Sequence, residues 1–169
     1  MSAAENTKGR TPQKDGHEMK LAFGSDHAGF QLKNTLIEYA KELGHEVEDF
    51  GSMSGERSDY PDFGYLAAKA VTDGRCDRGV VICYTGIGIS ITANKVPGIR
   101  CALCTESYSA FLTRAHNDTN MLAMGAGFTG PALAKEILRV WLSTEFEGGR
   151  HKTRVDKIMG YEARGLKRD

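Results

Sequence analysis

Chemistry in this chain can be assembled around Cys83. The residue closes the run Arg78-Gly-Val-Val-Ile-Cys83 and is followed by Tyr84-Thr-Gly-Ile-Gly88. Val80, Val81 and Ile82 form an unbroken β-branched run of the kind buried on both faces of a sheet, and the Thr-Gly-Ile-Gly turn behind it opens a helical stretch. A thiol is therefore expected at the carboxyl end of a central strand, where open α/β sheets bind their ligands. Free amides and the positive end of a helix dipole favour a thiolate there and also form a cradle for an oxyanion or a phosphate. The familiar nucleotide signatures are incomplete: Ile91 stands where a third glycine would fall, and Lys95 lies too far along the helix to serve a phosphate loop.

Three further groups are expected on the same ligand side. Asp26-His27 follows the first strand; Asp26 alone reads equally well as a helix cap, whereas His27 faces the switch point of the sheet. His116-Asn117-Asp118 ends the helix before the fifth strand, with Asn117 as a C-terminal cap and His116 either complementing the dipole or serving as a proton donor. Arg150 and Arg154 are four apart at a helix start, so both guanidinium groups leave from one face. They repel one another, and a bound dianion would relieve them. His17, His27, His45, His116 and His151 form no locally spaced chelating pair, so no metal and no cofactor are expected.

The elements that must position these groups follow from periodicity. Leu21-Ala-Phe23 is a first strand, and Leu32, Leu36, Ile37 and Ala40 recur at helical spacing up to Gly44. Val47 to Phe50 is a second strand, and Asp59-Tyr-Pro61 starts a helix carrying Leu66, Ala67, Ala70 and Val71. A helix to about Asn94, a strand from Arg100 to Cys104, a helix from Glu106 to Ala115, a strand from Asn120 to Met124, a helix from Pro131 to Leu142 and a last helix from Arg150 to Arg164 complete the chain. Such alternation calls for a three-layer α/β/α Rossmann-like fold with a five-stranded parallel sheet, in the predicted order 2-1-3-4-5. Residues 1–18 have no apolar periodicity and are expected to be a disordered extension; residues 19–164 form one domain and residues 165–169 a charged tail.

Among the 169 residues, 22 Lys and Arg balance 22 Asp and Glu, so no overall field draws the protein to nucleic acid or to an anionic membrane. No apolar run approaches the ~18 residues of a membrane span. The N-terminus lacks a secretory pattern, and a cytoplasmic protein is expected. Cys101 and Cys104 fall three apart in a strand, on opposite faces, and are expected to be small buried hydrophobes, not a disulfide or metal pair.

Taken together, Ser25-Asp-His-Ala-Gly29, Asp59-Tyr-Pro-Asp62, Cys83 with Thr-Gly-Ile-Gly88, Ala93-Asn-Lys95, Pro97-Gly-Ile-Arg100, His116-Asn-Asp-Thr-Asn120 and Glu147-Gly-Gly-Arg-His151 resemble type B ribose-5-phosphate isomerases, of the ribose/galactose isomerase family. The resemblance runs from about Met19 to Tyr161. It implies a metal-free aldose–ketose isomerase that interconverts ribose 5-phosphate and ribulose 5-phosphate in the pentose phosphate pathway, or acts on a six-carbon sugar such as allose 6-phosphate or galactose 6-phosphate. It further implies a homodimer, or a tetramer, with interfacial active sites. Cys83 would be the base; Thr85 and the amides of Tyr84, Gly86, Ile87 and Gly88 would hold the enediolate oxygens; His116 with Asp26 would assist ring opening. His27, Arg150 and Arg154 would bind the phosphate and Asn117 the sugar hydroxyls, with His116 and Asn117 coming from the partner. Tyr84 departs from the glycine common after the family's cysteine, which bears on the breadth of the sugar pocket. A signalling receiver domain would instead need an acid where Cys83 stands and a lysine where Gly125 stands, and a nucleotide-binding stress protein would need the missing loop residues.

Overall fold

The computed structural model describes residues 18–165; the extension expected over 1–18 and the tail expected over 165–169 lie, but for residues 18 and 165, outside the described residues. Five parallel strands alternate with six helices: β1 (Lys20–Ser25), α1 (Phe30–Glu42), β2 (Glu46–Asp49), α2 (Tyr60–Thr72), β3 (Arg78–Cys83), α3 (Ile87–Asn94), β4 (Cys101–Leu103), α4 (Ser107–Asn117), β5 (Met121–Gly125), α5 (Pro131–Ser143) and α6 (Gly149–Gly165). Among the described residues no helix is long and apolar enough to cross a membrane.

The strand order is 2-1-3-5-4, which corrects the expected 2-1-3-4-5. The reason is burial. An inner strand must be apolar on both faces, and all five residues of β5 are buried, whereas the three residues of β4 are only half-buried. The chain therefore steps over the β5 position, lays the short strand at the edge and returns to fill the centre. Sequential neighbours pair often enough to make the simpler order the default, but that tendency yields to a strand with two apolar faces.

Each inner strand feeds two cores. Leu21, Phe23, Val80, Ile82, Leu122 and Met124 face one side and pack on α1, α4 and α5, with Trp141 fully buried among them. Ala22, Val81, Cys83, Met121 and Ala123 face the other, where Ala67, Ala68, Ala70, Ile89 and Ala93 bring α2 and α3 close to the sheet. Full burial of side chains such as Leu36, Ile137 or Leu138 contributes about 1.5–3 kcal/mol each. On α2 the expected apolar face is split: Ala67 and Ala70 are buried, while Leu66 is exposed beside Tyr65, as are Ile87 and Ile91 of α3. Cys76, Cys83, Cys101 and Cys104 are free thiols; burial pushes Cys76, Cys101 and Cys104 upward from the usual thiol range, which leaves those three as inert hydrophobes.

Candidate functional site

At the carboxyl edge of the sheet the backbone itself holds the chemistry. Cys83 ends β3 opposite Gly125 of β5. Its buried Sγ accepts a hydrogen bond from the Gly86 N–H at 3.1 Å, so a donor is aimed at the atom that would carry negative charge. Gly86 takes φ +77° as the residue before α3, and a Cβ there would lie 2.5 Å from Leu103 and 2.7 Å from the Met124 backbone. Only glycine allows both the left-handed turn and this approach. Thr85 Oγ1 accepts from Ile87 N at 3.1 Å. Two amides of the expected cradle, those of Gly86 and Ile87, are thus engaged within the loop, and the first-turn amides of Gly88 and Ile89 are the ones without an intrahelical acceptor. The ring of Tyr60 lies against Gly88, 2.5 Å from where a Cβ would be. Tyr84 projects to solvent over Gly127 and meets the Phe128 ring edge-on with centroids 6.0 Å apart.

Asp26 and His27 lie at the same edge. Asp26 is buried, and its Oδ1 accepts from Gly29 N at 3.0 Å; it closes the turn ahead of α1 and does not cap the helix, whose N-cap is Gly29 without a side-chain bond. Gly29 itself packs on the Ile82 carbonyl, which sets α1 against the end of β3 beside Cys83. His27 is pinned by a residue without an assigned role in the sequence, Ser58: its Nδ1 lies 3.1 Å from Ser58 O and 3.2 Å from Ser58 N, and its own amide donates to Ser58 Oγ at 3.1 Å. In either tautomer Nε2 is left for a ligand. The loop before Ser58 is anchored by fully buried Lys33, whose Nζ donates to both Asp49 carboxylate oxygens at 2.6 Å and to Ser52 O at 2.8 Å.

The remaining expected groups are not on this edge. Arg100 donates through Nε to the carbonyls of Asn117 and Asp118, both at 3.1 Å, and Asn120 Oδ1 accepts from Arg100 N at 2.8 Å, so the end of α4 is tied to the residue that precedes β4. His116 and Asn117 therefore sit at the amino edge of the sheet, as do Arg150 and its helix. The five residues of β5 separate the two edges by about 16 Å. This corrects the expectation that all four groups share the ligand side: a helix running antiparallel to the strands carries its last turn back to their beginnings. Asp118, not Asn117, closes α4, in the left-handed region at φ +47° that aspartate tolerates.

At the amino edge side chains hold side chains. His116, partly exposed, stacks on buried His151 with ring centroids 4.0 Å apart and planes 5° apart. Glu147 Oε2 lies 3.9 Å from His116 Nε2 and 3.5 Å from His151 Nε2. Burial, then the neighbouring His116 and Arg150, hold His151 below the usual histidine range. Arg150 and Arg154 are exposed on α6, and Lys152 takes the nearby carboxylate of Asp156 at 2.7 Å. Arg114 donates to Asp118 Oδ1 at 2.8 Å and to Thr119 O at 2.7 Å, which completes the brace under the turn. Sequence spacing indicated no chelating pair, yet the fold brings His116, Glu147 and His151 within 4.8 Å of one another. Imidazole binds a metal through an in-plane lone pair, and two stacked parallel rings do not point theirs at one ion. Arg100, Glu147 and His151 have no local pattern that marks them; only their place in the quoted Pro97-Gly-Ile-Arg100 and Glu147-Gly-Gly-Arg-His151 stretches singles them out.

Two surface hollows lie apart from both groups. One of about 290 Å³ is lined by Ile37, Lys41, Val47 and Asp49, the other of about 470 Å³ by Pro61, Tyr65, Leu66 and Thr92.

Comparison with known proteins places this geometry. Residues 21–158 match the family described as Ribose/Galactose Isomerase. The chain is 51% identical over 145 residues to ribose-5-phosphate isomerase B of Escherichia coli, covering 86% of this chain and 97% of that protein. It is 46% identical over 145 residues to D-erythrulose-4-phosphate isomerase of Pectobacterium atrosepticum, covering 85% and 95%. A solved structure of ribose-5-phosphate isomerase B from Clostridium thermocellum superposes with a TM-score of 0.85 at 55% identity, covering 86% of this chain and 99% of that one.

Proposed function

The chain belongs to the ribose/galactose isomerase family and is a sugar-phosphate isomerase, and from that premise we propose that it interconverts ribose 5-phosphate and ribulose 5-phosphate at sites shared between two copies of itself. The observation that carries this reading is the 3.1 Å contact between Gly86 N–H and the buried Cys83 Sγ at the mouth of the glycine turn. A thiolate held there removes the C2 proton of the open-chain aldose, the electron pair moves to give an enediolate, and the thiol returns the proton to C1. Thr85 and the free first-turn amides of α3 face the oxygens on which charge develops. His116 and Asp26 assist ring opening, Asn117 binds the sugar hydroxyls, and His27, Arg150 and Arg154 hold the phosphate dianion. The reaction places the protein in the pentose phosphate pathway, and its free thiols suit the reducing cytoplasm.

The separation of the two edges supports a homodimer. Cys83, Asp26 and His27 cannot meet His116, Asn117 and Arg150 across about 16 Å within one chain. A two-fold pair in which each copy lays its amino edge on the carboxyl edge of the other makes two complete sites. The exposed apolar side chains Tyr65, Leu66, Ile87 and Ile91, on the helix pair that flanks Cys83, supply a surface for that contact. The name of the Pectobacterium relative makes a shorter sugar phosphate the second substrate to assay, and allose 6-phosphate the third.

The test is complementation. Cys83→Ser and His116→Ala proteins are each expected to be nearly inactive on ribose 5-phosphate. After mixing and subunit exchange, activity should return to roughly a quarter of wild type, because half the dimers then carry one intact site. No recovery, with exchange verified by mass, would overturn the shared site; an inactive wild type would overturn the substrate.

A further inference from the structure

Buried His151 is not used by the mechanism above, yet both its ring face and its Nε2 are occupied by groups that are. The face carries His116, 4.0 Å away and within 5° of parallel. The Nε2 atom lies 3.4 Å from Arg150 Nε, in position to accept a long hydrogen bond from it, with Glu147 Oε2 at 3.5 Å on the same atom. We propose that His151 is a positioning residue that sets two functional groups of the amino edge at once, the His116 imidazole through its ring face and the Arg150 guanidinium through its Nε2 atom.

This inference rests on the roles given to His116 and Arg150 in the proposed isomerase reaction. The geometry assigns His151 its state. Two imidazolium rings face to face would repel, and the charged groups around His151 are His116 from α4, Arg150 and Arg154 from its own helix, and Glu147 from the preceding loop. Burial and three potential cations against one carboxylate keep His151 neutral. An Nε2 that accepts from Arg150 puts its single ring proton on Nδ1. In that tautomer the ring offers His116 a neutral aromatic platform. With Nε engaged, Arg150 is restrained about its long side chain while its terminal nitrogens remain free to fork onto a phosphate. The backbone supports the same placement: His151 N donates to Gly148 O at 3.0 Å, and Glu147 N donates to Ala115 O at 3.0 Å, which docks the Glu147–His151 turn on the last turn of α4.

Because the two contacts use different parts of one side chain, two substitutions separate them. His151→Phe keeps a flat ring and removes the acceptor; His151→Gln keeps an acceptor at similar reach and removes the ring. For His151→Phe, KM for ribose 5-phosphate and Kd for inorganic phosphate are expected to rise about fivefold or more, with kcat within about twofold. For His151→Gln, kcat is expected to fall about tenfold with phosphate affinity within about twofold of wild type. Proton NMR supplies a reading that needs no turnover: ring-current shifts of the His116 ring protons should persist in His151→Phe and vanish in His151→Gln. If wild type fails to turn over ribose 5-phosphate, the substrate reading falls, while phosphate affinity and the ring-current shifts still decide the role of His151. Equal losses of kcat and phosphate affinity in both variants, tracking a lowered melting temperature, would overturn the inference, as would wild-type values in both.

Discussion

The two edges of the sheet hold their functional groups by different means. At the carboxyl edge the thiol is fixed by main chain: Gly86 N–H on Sγ, a glycine turn with no room for a Cβ, and α1 pressed by Gly29 onto the Ile82 carbonyl. At the amino edge His116, Asn117 and Arg150 are fixed by other side chains, through Arg100, Arg114, Asp118, Glu147 and His151. A backbone-built site offers few adjustable parts, so damage there is close to all-or-none. A side-chain-built site can lose one brace and keep the others, and its losses should be graded.

That contrast can be broken first at its strongest point. Cys83→Ser should fold with an unchanged melting temperature and lose at least about a hundredfold in kcat/KM, because a serine hydroxyl without a partner is a far weaker base. Retention of more than about a tenth of the wild-type rate, a loss under ~1.4 kcal/mol, would remove the thiol from the role of base. Gly86→Ala tests the backbone directly. A Cβ at φ +77° and 2.7 Å from the Met124 main chain should cost about 2–4 kcal/mol of unfolding free energy in urea, with activity lost alongside. Near wild-type stability would mean that the turn yields more readily than its packing indicates.

The amino edge should respond by degrees. Replacing Arg150 and Arg154 together by alanine removes contacts worth about 1.5–3 kcal/mol each to a dianion, so KM should rise by tenfold or more and kcat should also fall. The rise in melting temperature on adding phosphate should shrink with it, and an undiminished rise would return the arginines to the role of a solvated face. The smallest effect is a pH dependence. His151 is held below its usual range by burial, so the unfolded chain binds its proton more readily than the native one. Its contribution to stability is complete above the ordinary histidine value of about 6.5 and is lost as pH falls below it. His45 is shifted in the same direction by burial and by Arg78, so the comparison must be differential. The melting temperature of His151→Phe should drop less than that of wild type between pH 7 and pH 5; parallel curves would show that His151 titrates like a free histidine.

How much of this was legible beforehand depended on distance along the chain. The Cys83 half-site spans one strand, one turn and the first turn of a helix, so the β-branched run and the paired glycines sufficed to place it. Asp26 and His27 followed for the same reason. Even there the allocation of amides was not legible, because which N–H meets Sγ or Thr85 Oγ1 depends on the turn's dihedral angles. The other half-site joins Arg100, His116 and His151, which are far apart in sequence, and no periodicity links them.

By itself the amino-acid sequence determined the alternation of strands and helices, the parallel sheet, the switch point beside β1 and β3, and the identity of the groups able to do chemistry, because each is a local matter of patterning and side-chain type. The tertiary structure alone decided three things. It placed β5 inside and β4 at the edge, since only the longer strand could bury both faces. It stacked His116 on His151, since α6 docks on α4. It also put the thiol and the imidazole at opposite ends of the strands, since a helix that returns antiparallel to a parallel sheet must end where the next strand begins.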